Sequence, residues 1–408
     1  MASFLEVNRK PSHYWRSAMP MNRPEVQSGR PRLPLKVLHV INTLSAGGAE
    51  VLVTDLAIAL SQHCQVNVWT YGGTRDLKGR SLRARLQQAG IEVTSPGISK
   101  KLRMIPIPAL LAGYINQYRP DIVHAHIEQS ELFSALSMYL CHPRPILIRT
   151  IHNSRIGLPL ARKLRPWLAA RFDWSVACSD AVLNARENAL PKSRACAIDN
   201  GITLPELGER AVLRKRVRAE LGVPSGMKVL LQIGAMRGSP MQKAHDVVIE
   251  AFAAGGFMRT SELVFLGDGH RRAGIETRAK ELGIDSSIHF CGIVEDVAKY
   301  ILAADVVLMP SRYEGLPIAA AEAACLGAPM ILSDIEPLRA FASKATSLCA
   351  PGDVKSLIAS MHYALGHCDE MWQEGEDLIP AFRGRFDITG VAKRYFDLYA
   401  RLVRAARV

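Results

Sequence analysis

The stretch Asp305–Asp334 constrains the fold of this chain more than any other part of the sequence. It reads DVVLMPSRYEGLPIAAAEAACLGAPMILSD, and the short apolar runs near its two ends predict strands that are buried on both faces. Between them, Pro317 suits the first position of an alanine-rich helix, and Gly327 suits the left-handed position just past its end. The stretch therefore predicts a strand, a loop, a helix and a second strand, with Glu314 in the loop and Glu322 inside the helix.

These two glutamates have different predicted surroundings. Glu314 follows the carboxyl end of a strand, where open parallel sheets bind ligands, and the free N–H groups of residues 315–318 make an anion site together with the helix dipole. Glu322 lies among alanines, so we expect it on a mostly buried face, where a carboxylate needs hydroxyl or amide partners. A sugar nucleotide has both phosphate and hydroxyl groups and suits this pair. A helix that merely carries two acids is the alternative.

PSRYEGLPIAAAEAACLGAPMILSD resembles the donor-site signature of the retaining glycosyltransferases of family 4, which have the GT-B fold. The resemblance covers about residues 36–405. It implies that Glu314 contacts the transferred sugar and that Glu322 contacts the nucleotide ribose. The donor-binding positions next to Glu314 are then Gly315, Leu316 and Pro317. The implied fold is α/β, with two Rossmann-like doubly wound domains and a cleft between them.

Length, charge and cysteine content limit the possible functions. The 408 residues favour two domains, and a formal charge of +13 suggests an anionic partner, which could be nucleic acid, a phospholipid surface or a phosphorylated substrate. Nucleic acid ranks last, because aromatic residues make up only 6% and no basic–aromatic motif occurs. The eight cysteines form no C-x-x-C pair and suit a reducing cytosol. We expect a cytoplasmic protein, with peripheral attachment to the inner face of the cytoplasmic membrane as a second expectation.

The alternation of strands and helices, without hairpin signals, predicts parallel sheets in two successive halves. Residues 1–34 are rich in proline and arginine and predict a disordered basic leader, within which Met21 could be the true start. An acceptor-binding domain is predicted over residues 35–203 and a nucleotide-sugar-binding domain over residues 204–384. Residues 385–408 predict an amphipathic helix, which in GT-B proteins crosses back onto the first domain.

Each predicted half begins with a buried strand. The strands of the first half are predicted at Lys36–Ile41, Gln65–Tyr71, Ile91–Thr94, Asp121–His126, Ile146–His152, Trp174–Cys178 and Ala195–Asp199. Those of the second half are predicted at Lys228–Gly234, Glu262–Gly267, Ser287–Cys291, Asp305–Met309, Ala328–Ser333 and Thr346–Cys349.

Two loops that follow the first strand of each half are candidates for phosphate binding. INTLSAGGAE places Gly47 and Gly48 at a helix N-terminus, where bare backbone can approach a phosphate or a sugar. A tight turn that needs glycine for conformation alone is the alternative. IGAMRGSPMQK is similar to the family segment in which an arginine and a lysine grip the donor diphosphate, which implies Arg237 and Lys243. The family usually has fewer residues between these two, so the sequence has an insertion here.

Two further candidate donor-binding positions, Gly267 and Ile293, lie just after later strands of the second half. LVFLGDG runs into a glycine turn at Gly267, but it lacks the third glycine of G-x-G-x-x-G, which argues against a dehydrogenase. FCGI corresponds to the family loop that meets the nucleotide base through backbone groups, which implies Ile293. No D-x-D triplet occurs, so the usual carboxylate pair for Mg²⁺ or Mn²⁺ is missing. The sequence therefore predicts no metal site and no cofactor besides the nucleotide-sugar co-substrate.

The acceptor side carries a candidate catalytic histidine and a basic surface. His126 ends the strand DIVHAH and matches the family histidine at the donor–acceptor junction, while His152 is a second, weaker candidate. A hydrogen-bonded structural histidine is the alternative for either one. Residues 155–171 hold five cations and no acid between apolar residues, which is typical of contact with an anionic membrane or, equally, of a solvated basic face.

Together these features predict a retaining, metal-independent hexosyltransferase. It moves a sugar from a nucleoside-diphosphate sugar to a glycan or lipid-linked acceptor, in cell-surface polysaccharide or lipopolysaccharide synthesis, with Glu314 and His126 as the catalytic candidates. One alternative is a GT-B-fold sugar-nucleotide epimerase, which needs no acceptor. The other is a non-catalytic protein that binds an anionic surface through its basic half. No nucleic-acid partner is expected.

Overall fold

Two parallel sheets organise the chain. The structure is a computed structural model that describes residues 34–45, 47–74, 76–96, 106–152, 166–185, 190–204, 209–238 and 241–407. Most of the predicted leader and most of the basic stretch 155–171 lie outside these residues, as do residues 239–240 of the predicted insertion.

The first sheet has the strand order β3-β2-β1-β4-β5-β6-β7. Its strands are β1 Lys36–Ile41, β2 Gln65–Thr70, β3 Glu92–Thr94, β4 Ile122–His126, β5 Ile146–Ile151, β6 Trp174–Ala177 and β7 Ala195–Ala197. The second sheet has the order β10-β9-β8-β11-β12-β13. Its strands are β8 Lys228–Ile233, β9 Ser261–Leu266, β10 Ile288–Gly292, β11 Val306–Met309, β12 Met330–Ser333 and β13 Thr346–Cys349. Every strand pair named here is parallel.

Helices connect these strands. They are α1 Gly48–Leu60, α2 Leu77–Gln88, α3 Pro106–Tyr118, α4 Glu128–Ser137, α5 Asp180–Asn184, α6 Arg210–Leu221, α7 His245–Ala254, α8 Arg272–Glu281, α9 Val297–Ala303, α10 Ile318–Cys325, α11 Glu336–Arg339, α12 Val354–Gly366, α13 Cys368–Phe386 and α14 Ile388–Ala406. Among the described residues, no helix combines the length and apolar character needed to cross a membrane.

The predicted fold class is confirmed. All predicted strands are present, with ends that differ from the prediction by no more than two residues. The strand order reverses between β1 and β4 in the first sheet and between β8 and β11 in the second. Ligands of doubly wound sheets bind where the order reverses, beyond the carboxyl ends of the strands. The loops after β1, β4, β8 and β11 are therefore the ones that can form a site.

The helix of the stretch Asp305–Asp334 begins one residue later than predicted. Pro317 is its N-cap rather than its first helical residue, and Gly327 past its end has φ +72°, which confirms the predicted left-handed position. At the start of the stretch, the buried carboxylate of Asp305 accepts from the Val229 N–H at 2.6 Å. It also pairs with guanidinium groups of helix α6, including that of Arg214 at 2.7 Å. This network fixes β11 and α6 to the second sheet.

Two features join the halves into one compact unit over residues 35–408. Helix α14 packs against α1 and buries Val391, Tyr395 and Tyr399 in the same apolar cluster as the first sheet. A second apolar cluster contains Ile151 of β5 as well as Ala320 of α10. Since burial of apolar surface is the main stabilising term in folding, these clusters hold the loops at the carboxyl ends of both sheets close to each other.

Candidate active site

Glu314 lies at the centre of the second-half side of the site. It follows β11 and is only 4% exposed. Lys243 Nζ lies 2.6 Å from Glu314 Oε1, and Gln242 Nε2 donates to Glu314 Oε2 at 3.2 Å. The Lys243 side chain also covers Gly234, because a Cβ there would lie 2.7 Å from Lys243 Cγ. The loop after β8 and the loop after β11 thus meet in an acid–base pair at the carboxyl edge of the sheet.

A second ion pair braces the same two loops. Arg312 Nη1 and Nη2 bind the two carboxylate oxygens of Asp246 at 2.8 and 2.7 Å, and Nη1 also donates to the Met241 carbonyl at 2.8 Å. Burial would raise the pKa of Asp246, but the Arg312 guanidinium overrides this and holds that pKa below its usual value. A fork-shaped contact of this kind fixes orientation, so it sets the position of Lys243 relative to Glu314.

The residues that follow Glu314 pack against the first half. Ser179 Oγ donates to the Gly315 carbonyl at 3.0 Å, and Asn200 Nδ2 donates to the Leu316 carbonyl at 2.8 Å. A Cβ on Gly315 would lie 2.0 Å from the His152 carbonyl oxygen, which explains the glycine. The carbonyls of this turn are therefore occupied, and Pro317 is buried as the N-cap.

The N–H groups of the same turn are free. Among the described residues, Gly315, Leu316 and Ile318 donate no backbone hydrogen bond to another group. Free N–H groups at the start of an eight-residue helix, with a lysine beside them, form an anion site.

The glycine loop of the first half faces this helix start. Gly47 is the N-cap of α1, and a Cβ on Gly48 would lie 3.5 Å from Ile318 Cδ1, so the N-termini of α1 and α10 are neighbours. Glu50 in the first turn of α1 accepts from Ser45 Oγ at 3.1 Å. Burial raises the pKa of Glu50, while the positive charge of the exposed Arg237 lowers it. Arg237 thus lies near the glycine loop, at a site edge formed by both halves.

Gly267 and Ile293 follow the carboxyl ends of β9 and β10, which lie on one side of the second sheet. Gly267 has φ +125°, and a Cβ there would lie 2.1 Å from the Gly234 carbonyl oxygen, so the turn requires glycine. Its N–H donates to the Gly292 carbonyl at 2.7 Å. Ile293 follows Gly292 and is 49% exposed. These positions leave backbone and one apolar side chain open to a ligand.

The expectation that Glu322 lies on a mostly buried face is confirmed. Glu322 lies among the buried alanines of helix α10 and is only partly exposed, although Glu314 in the loop is the more buried acid. Among the described residues, no hydrogen bond or ion pair satisfies the Glu322 carboxylate. Burial, together with the negative charges of Asp55 and Asp296 and against the charge of Lys78, raises the pKa of Glu322 to about 7. Glu322 is thus an unused acceptor.

Four histidines form the first-half side of the site. His39 of β1, His124 and His126 of β4, and His152 after β5 lie in one cluster, in which only His152 is partly exposed. Burial lowers the pKa of His39 to about 3 and that of His152 to about 4, and lowers the pKa of the other two well below 6.5. All four imidazoles are therefore neutral at pH 7. His126 itself is 1% exposed, so His152 is the more accessible of the two candidates.

The hydrogen bonds of the cluster determine which nitrogen of each imidazole carries the proton. His39 Nδ1 lies 2.9 Å from His126 Nε2, and His126 Nδ1 lies 3.4 Å from His152 Nε2, while His39 Nε2 is buried without a partner. A buried N–H without an acceptor is rarer than an acceptor without a donor, so we assign the protons to the Nδ1 atoms. His39 then donates to His126, and His126 donates to His152. This leaves the Nδ1–H of His152 as a donor.

Three histidines of this cluster also have the spacing of a metal site, the one such group within the described part of the chain. Nitrogens of His39, His124 and His126 lie within 4.8 Å of one another. However, His124 already bonds the hydroxyl groups of Tyr399 at 2.6 Å and Thr150 at 2.7 Å, and no carboxylate belongs to the group. A divalent charge would therefore be buried without a counter-charge, and the hydrogen-bonded arrangement suits neutral imidazoles better.

Sequence reasoning missed the residues that connect the loops. Gln242, Ser179 and Asn200 hold the turn around Glu314 and Gly315 through single hydrogen bonds across long sequence separations. The one available signal was that these residues follow predicted strands at their carboxyl ends, where the site had to lie.

Comparison with known proteins gives matches to two family descriptions. Residues 46–205 match Glycosyltransferase Family 4, and residues 227–367 match Glycosyl transferases group 1. EpsF of Bacillus subtilis (strain 168), a protein named as a glycosyltransferase, is 27% identical over 322 residues, which cover 73% of this chain and 79% of EpsF. An Escherichia coli UDP-Gal:alpha-D-GlcNAc-diphosphoundecaprenol alpha-1,3-galactosyltransferase is 23% identical over 260 residues, which cover 59% of this chain and 65% of that protein.

Solved structures show the same fold. The crystal structure of Anabaena HepE in complex with UDP and glucose superposes with a TM-score of 0.77 at 18% identity and covers 90% of this chain and 99% of HepE. The same protein has been solved with UDP-glucose.

Proposed function

Because the chain belongs to the GT-B glycosyltransferases, with a family 4 part followed by a group 1 part, we propose that it transfers a sugar from a nucleoside-diphosphate sugar to a glycan or lipid-linked acceptor. The observation that carries this proposal is the Lys243–Glu314 pair at the start of helix α10, beside free backbone N–H groups. HepE supports a nucleotide-sugar donor, since it was solved with UDP-glucose.

The charges around α10 suit the departure of a nucleoside diphosphate. Lys243, together with the helix N-terminus, supplies positive potential where the leaving phosphate gains charge. Arg237 adds an exposed cation at the glycine-loop edge. When the diphosphate binds, Lys243 contacts both its phosphate oxygens and Glu314, so the pair places the sugar and the phosphate next to each other.

The two glutamates then take different parts of the donor. Glu314 accepts hydrogen bonds from hydroxyl groups of the transferred sugar, and its engagement by Lys243 and Gln242 suits holding a sugar better than attacking one. Glu322 accepts from the ribose hydroxyls, which its free carboxylate can satisfy. Gly267 and Ile293 border the nucleoside through backbone and apolar contact.

We further propose that the reaction retains the anomeric configuration through a same-face displacement assisted by the leaving phosphate. Glu314 is the only carboxylate in the loop between β11 and α10, residues 310–317, and it is paired with Lys243, so no separate nucleophile is assigned. The imidazole chain that ends at His152 borders the side where the acceptor meets the donor sugar. His126 acts there through His152 by fixing its orientation.

Metal independence is part of the proposal, because the sequence offers no D-x-D pair and cations can neutralise the diphosphate. The test adds EDTA to an assay with the donor that binds best in a thermal-shift panel of UDP-, GDP- and ADP-sugars. We expect activity to remain nearly unchanged. Loss of activity that Mg²⁺ or Mn²⁺ restores would overturn metal independence.

Product analysis separates transfer from the alternatives. A transferase needs an acceptor to consume the donor rapidly, whereas an epimerase changes the sugar of the donor without one. Family membership favours transfer, and the Escherichia coli relative, whose name gives GlcNAc-diphosphoundecaprenol as the acceptor, supports a lipid-linked acceptor in polysaccharide synthesis. Attachment to an anionic membrane through the first half is proposed from the basic composition and predicts vesicle binding that falls steeply with added salt. Binding that ignores salt would contradict it.

A further inference from the structure

Gln129 carries an exposed amide group near the start of α4, in the turn that follows His126 and the end of β4. The strand order of the first sheet reverses between β1 and β4. The side chain of Asn42, which follows β1, meets Gln129 across this reversal, with Asn42 Nδ2 3.4 Å from Gln129 Oε1. Gln129 thus lies where doubly wound sheets bind ligands, on the histidine side of the cleft.

The hydrogen bonds around Gln129 determine which way its amide group points. The backbone N–H of Ser130 can only donate, so the Asn42 atom that it meets at 3.1 Å must be the oxygen Oδ1. The Ser130 hydroxyl group donates to the same oxygen at 2.6 Å. Asn42 therefore presents its NH₂ group to Gln129, which must present its oxygen in return. Tyr71 donates to that oxygen as well, at 2.6 Å.

The NH₂ group of Gln129 is left as a donor whose position is set by its neighbours. Within the described part of the chain, nothing accepts a hydrogen bond from Gln129 Nε2, while Oε1 already has two donors. Tyr71 is only 3% exposed and packs edge-on against the ring of Phe133 at 5.2 Å, so it acts on a ligand only through Gln129. A donor that is already held in place loses less conformational freedom when it binds a ligand oxygen.

The turn that carries Gln129 has a strained backbone. Ile127 is the N-cap of α4 and has φ +73° and ψ 144°. A β-branched residue at positive φ is an outlier, and such outliers persist where the surrounding structure holds them, most often at functional sites. Ile127 joins His126 to the start of α4, so this turn sets the position of Gln129 relative to the histidine cluster.

We propose that Gln129 is an acceptor-binding residue, which donates from Nε2 to an oxygen of an uncharged acceptor sugar, and that Tyr71 and Asn42 are its positioning residues. This inference rests on the proposed function, because it needs a sugar acceptor beside His152. The class of acceptor follows from the chemistry of the network. Amide and hydroxyl groups satisfy sugar oxygens without a counter-charge, and the carboxylate of Glu128 in the same turn disfavours an anionic group.

The test measures transfer to p-nitrophenyl glycosides of glucose, galactose and N-acetylglucosamine, with the nucleotide sugar that binds best in the thermal-shift panel as donor. Gln129→Ala removes the amide, Tyr71→Phe removes only the hydroxyl group that holds it, and Gln117→Ala is the control, because Gln117 is exposed on α3. For the best glycoside, we expect Gln129→Ala to raise the KM about 2- to 12-fold, as for one lost hydrogen bond. The Kd of the donor, measured by calorimetry, should not change.

A double-mutant cycle shows whether Tyr71 acts through Gln129. Tyr71→Phe should raise the glycoside KM in the wild-type background and have no further effect in a Gln129→Ala background. An equal effect in both backgrounds would overturn the positioning role of Tyr71.

Three results would overturn the acceptor-binding role of Gln129. They are a Gln129→Ala KM equal to that of Gln117→Ala, a donor Kd that rises together with the KM, and a wild type that binds donor but uses none of the glycosides. If no nucleotide sugar binds to the wild type, the proposed function fails instead.

Discussion

On the second-half side of the cleft, Lys243 and Glu314 lie 2.6 Å apart, whereas on the first-half side four histidines lie together, and no carboxylate among the described residues forms a hydrogen bond or ion pair with them. Both groups are largely buried, but they differ in the partners that surround them. Glu314 has a lysine and an amide as partners, so each member of the acid–base pair has a counter-charge. The histidines have only one another and neutral hydroxyl groups, so desolvation removes their charges.

The difference shows how one cleft can offer two kinds of surface. Paired charges, a helix N-terminus and an exposed Arg237 suit the diphosphate of the proposed donor. Neutral imidazoles, with one remaining N–H at His152, suit sugar hydroxyl groups, which need hydrogen bonds but no counter-charge. Three predictions test this contrast, and they are given from the largest expected effect to the smallest.

The histidine cluster should make the fold sensitive to acid. Its pKa values lie below 6.5 in the folded chain, so from about pH 6.5 downwards the unfolded chain takes up protons that the folded chain refuses. The free energy of unfolding therefore falls as pH drops from 6.5 towards 4, by about 1.4 kcal/mol per pH unit for each such histidine. For His39, with a pKa of about 3, the loss at pH 5 is roughly 2 kcal/mol.

Urea unfolding of the wild type and of His39→Gln at pH 7 and pH 5 measures this contribution. The variant should lose less stability than the wild type between the two values. Acids with raised pKa values, such as Glu322, make the free energy of unfolding rise as pH falls. Both proteins contain these acids, so their contribution cancels when the two pH dependences are compared. An identical pH dependence in both proteins would show that His39 is not held neutral.

Replacing Lys243 by methionine should abolish most transfer. The variant leaves Glu314 buried without its cation. It also removes the positive charge that would neutralise the leaving phosphate. By analogy with the loss of one transition-state donor, kcat/KM should fall about 100- to 1000-fold. Lys280→Met is the matched control, because Lys280 lies exposed on α8. Transfer assays on both variants decide the matter, and a Lys243→Met enzyme with normal kcat/KM would remove Lys243 from the site.

Gly315 lies where the turn after β11 contacts the backbone of His152, and a substitution there tests that contact. Alanine there would bring a Cβ to 2.0 Å from the His152 carbonyl oxygen, so the turn must shift away from the histidine side. Overpacking of this kind costs about 1–3 kcal/mol, and the shift should also reduce kcat. Gly274→Ala is the control, since a Cβ there meets nothing within 4 Å. A Gly315→Ala protein with wild-type stability and kcat would mean that the contact is not important.

Most of the architecture was predictable from sequence, and the reason is periodicity. Apolar runs such as Val306–Met309 specify buried parallel strands, and the glycine at 327 specifies a helix end, so both were placed correctly. These signals are local. The two halves and their parallel sheets followed from the alternation of such segments.

The surroundings of the acids were not predictable in the same way. The partners of Glu314 are Gln242 and Lys243, which lie more than seventy positions earlier, and the pKa of Glu322 depends on the charges of Asp55 and Lys78 of the first half. The four-histidine cluster requires β1, β4 and β5 to be neighbours, with residues of alternate positions on one face. The sequence shows each histidine, but it does not predict that the four imidazoles contact one another.

The assignment of Glu314 to the sugar and of Glu322 to the ribose is the central claim. Steady-state kinetics of Glu314→Gln and Glu322→Gln test it most directly, at pH 8, where Glu322 is ionised, with the exposed Glu370→Gln as control and folding checked by circular dichroism. Glu314→Gln should mainly lower kcat, because contacts to the sugar strengthen in the transition state. Glu322→Gln should mainly raise the donor KM. Each effect should be roughly 10- to 150-fold, as for a lost charge-assisted hydrogen bond. If both variants keep kcat and KM near those of Glu370→Gln, the donor site does not lie at helix α10.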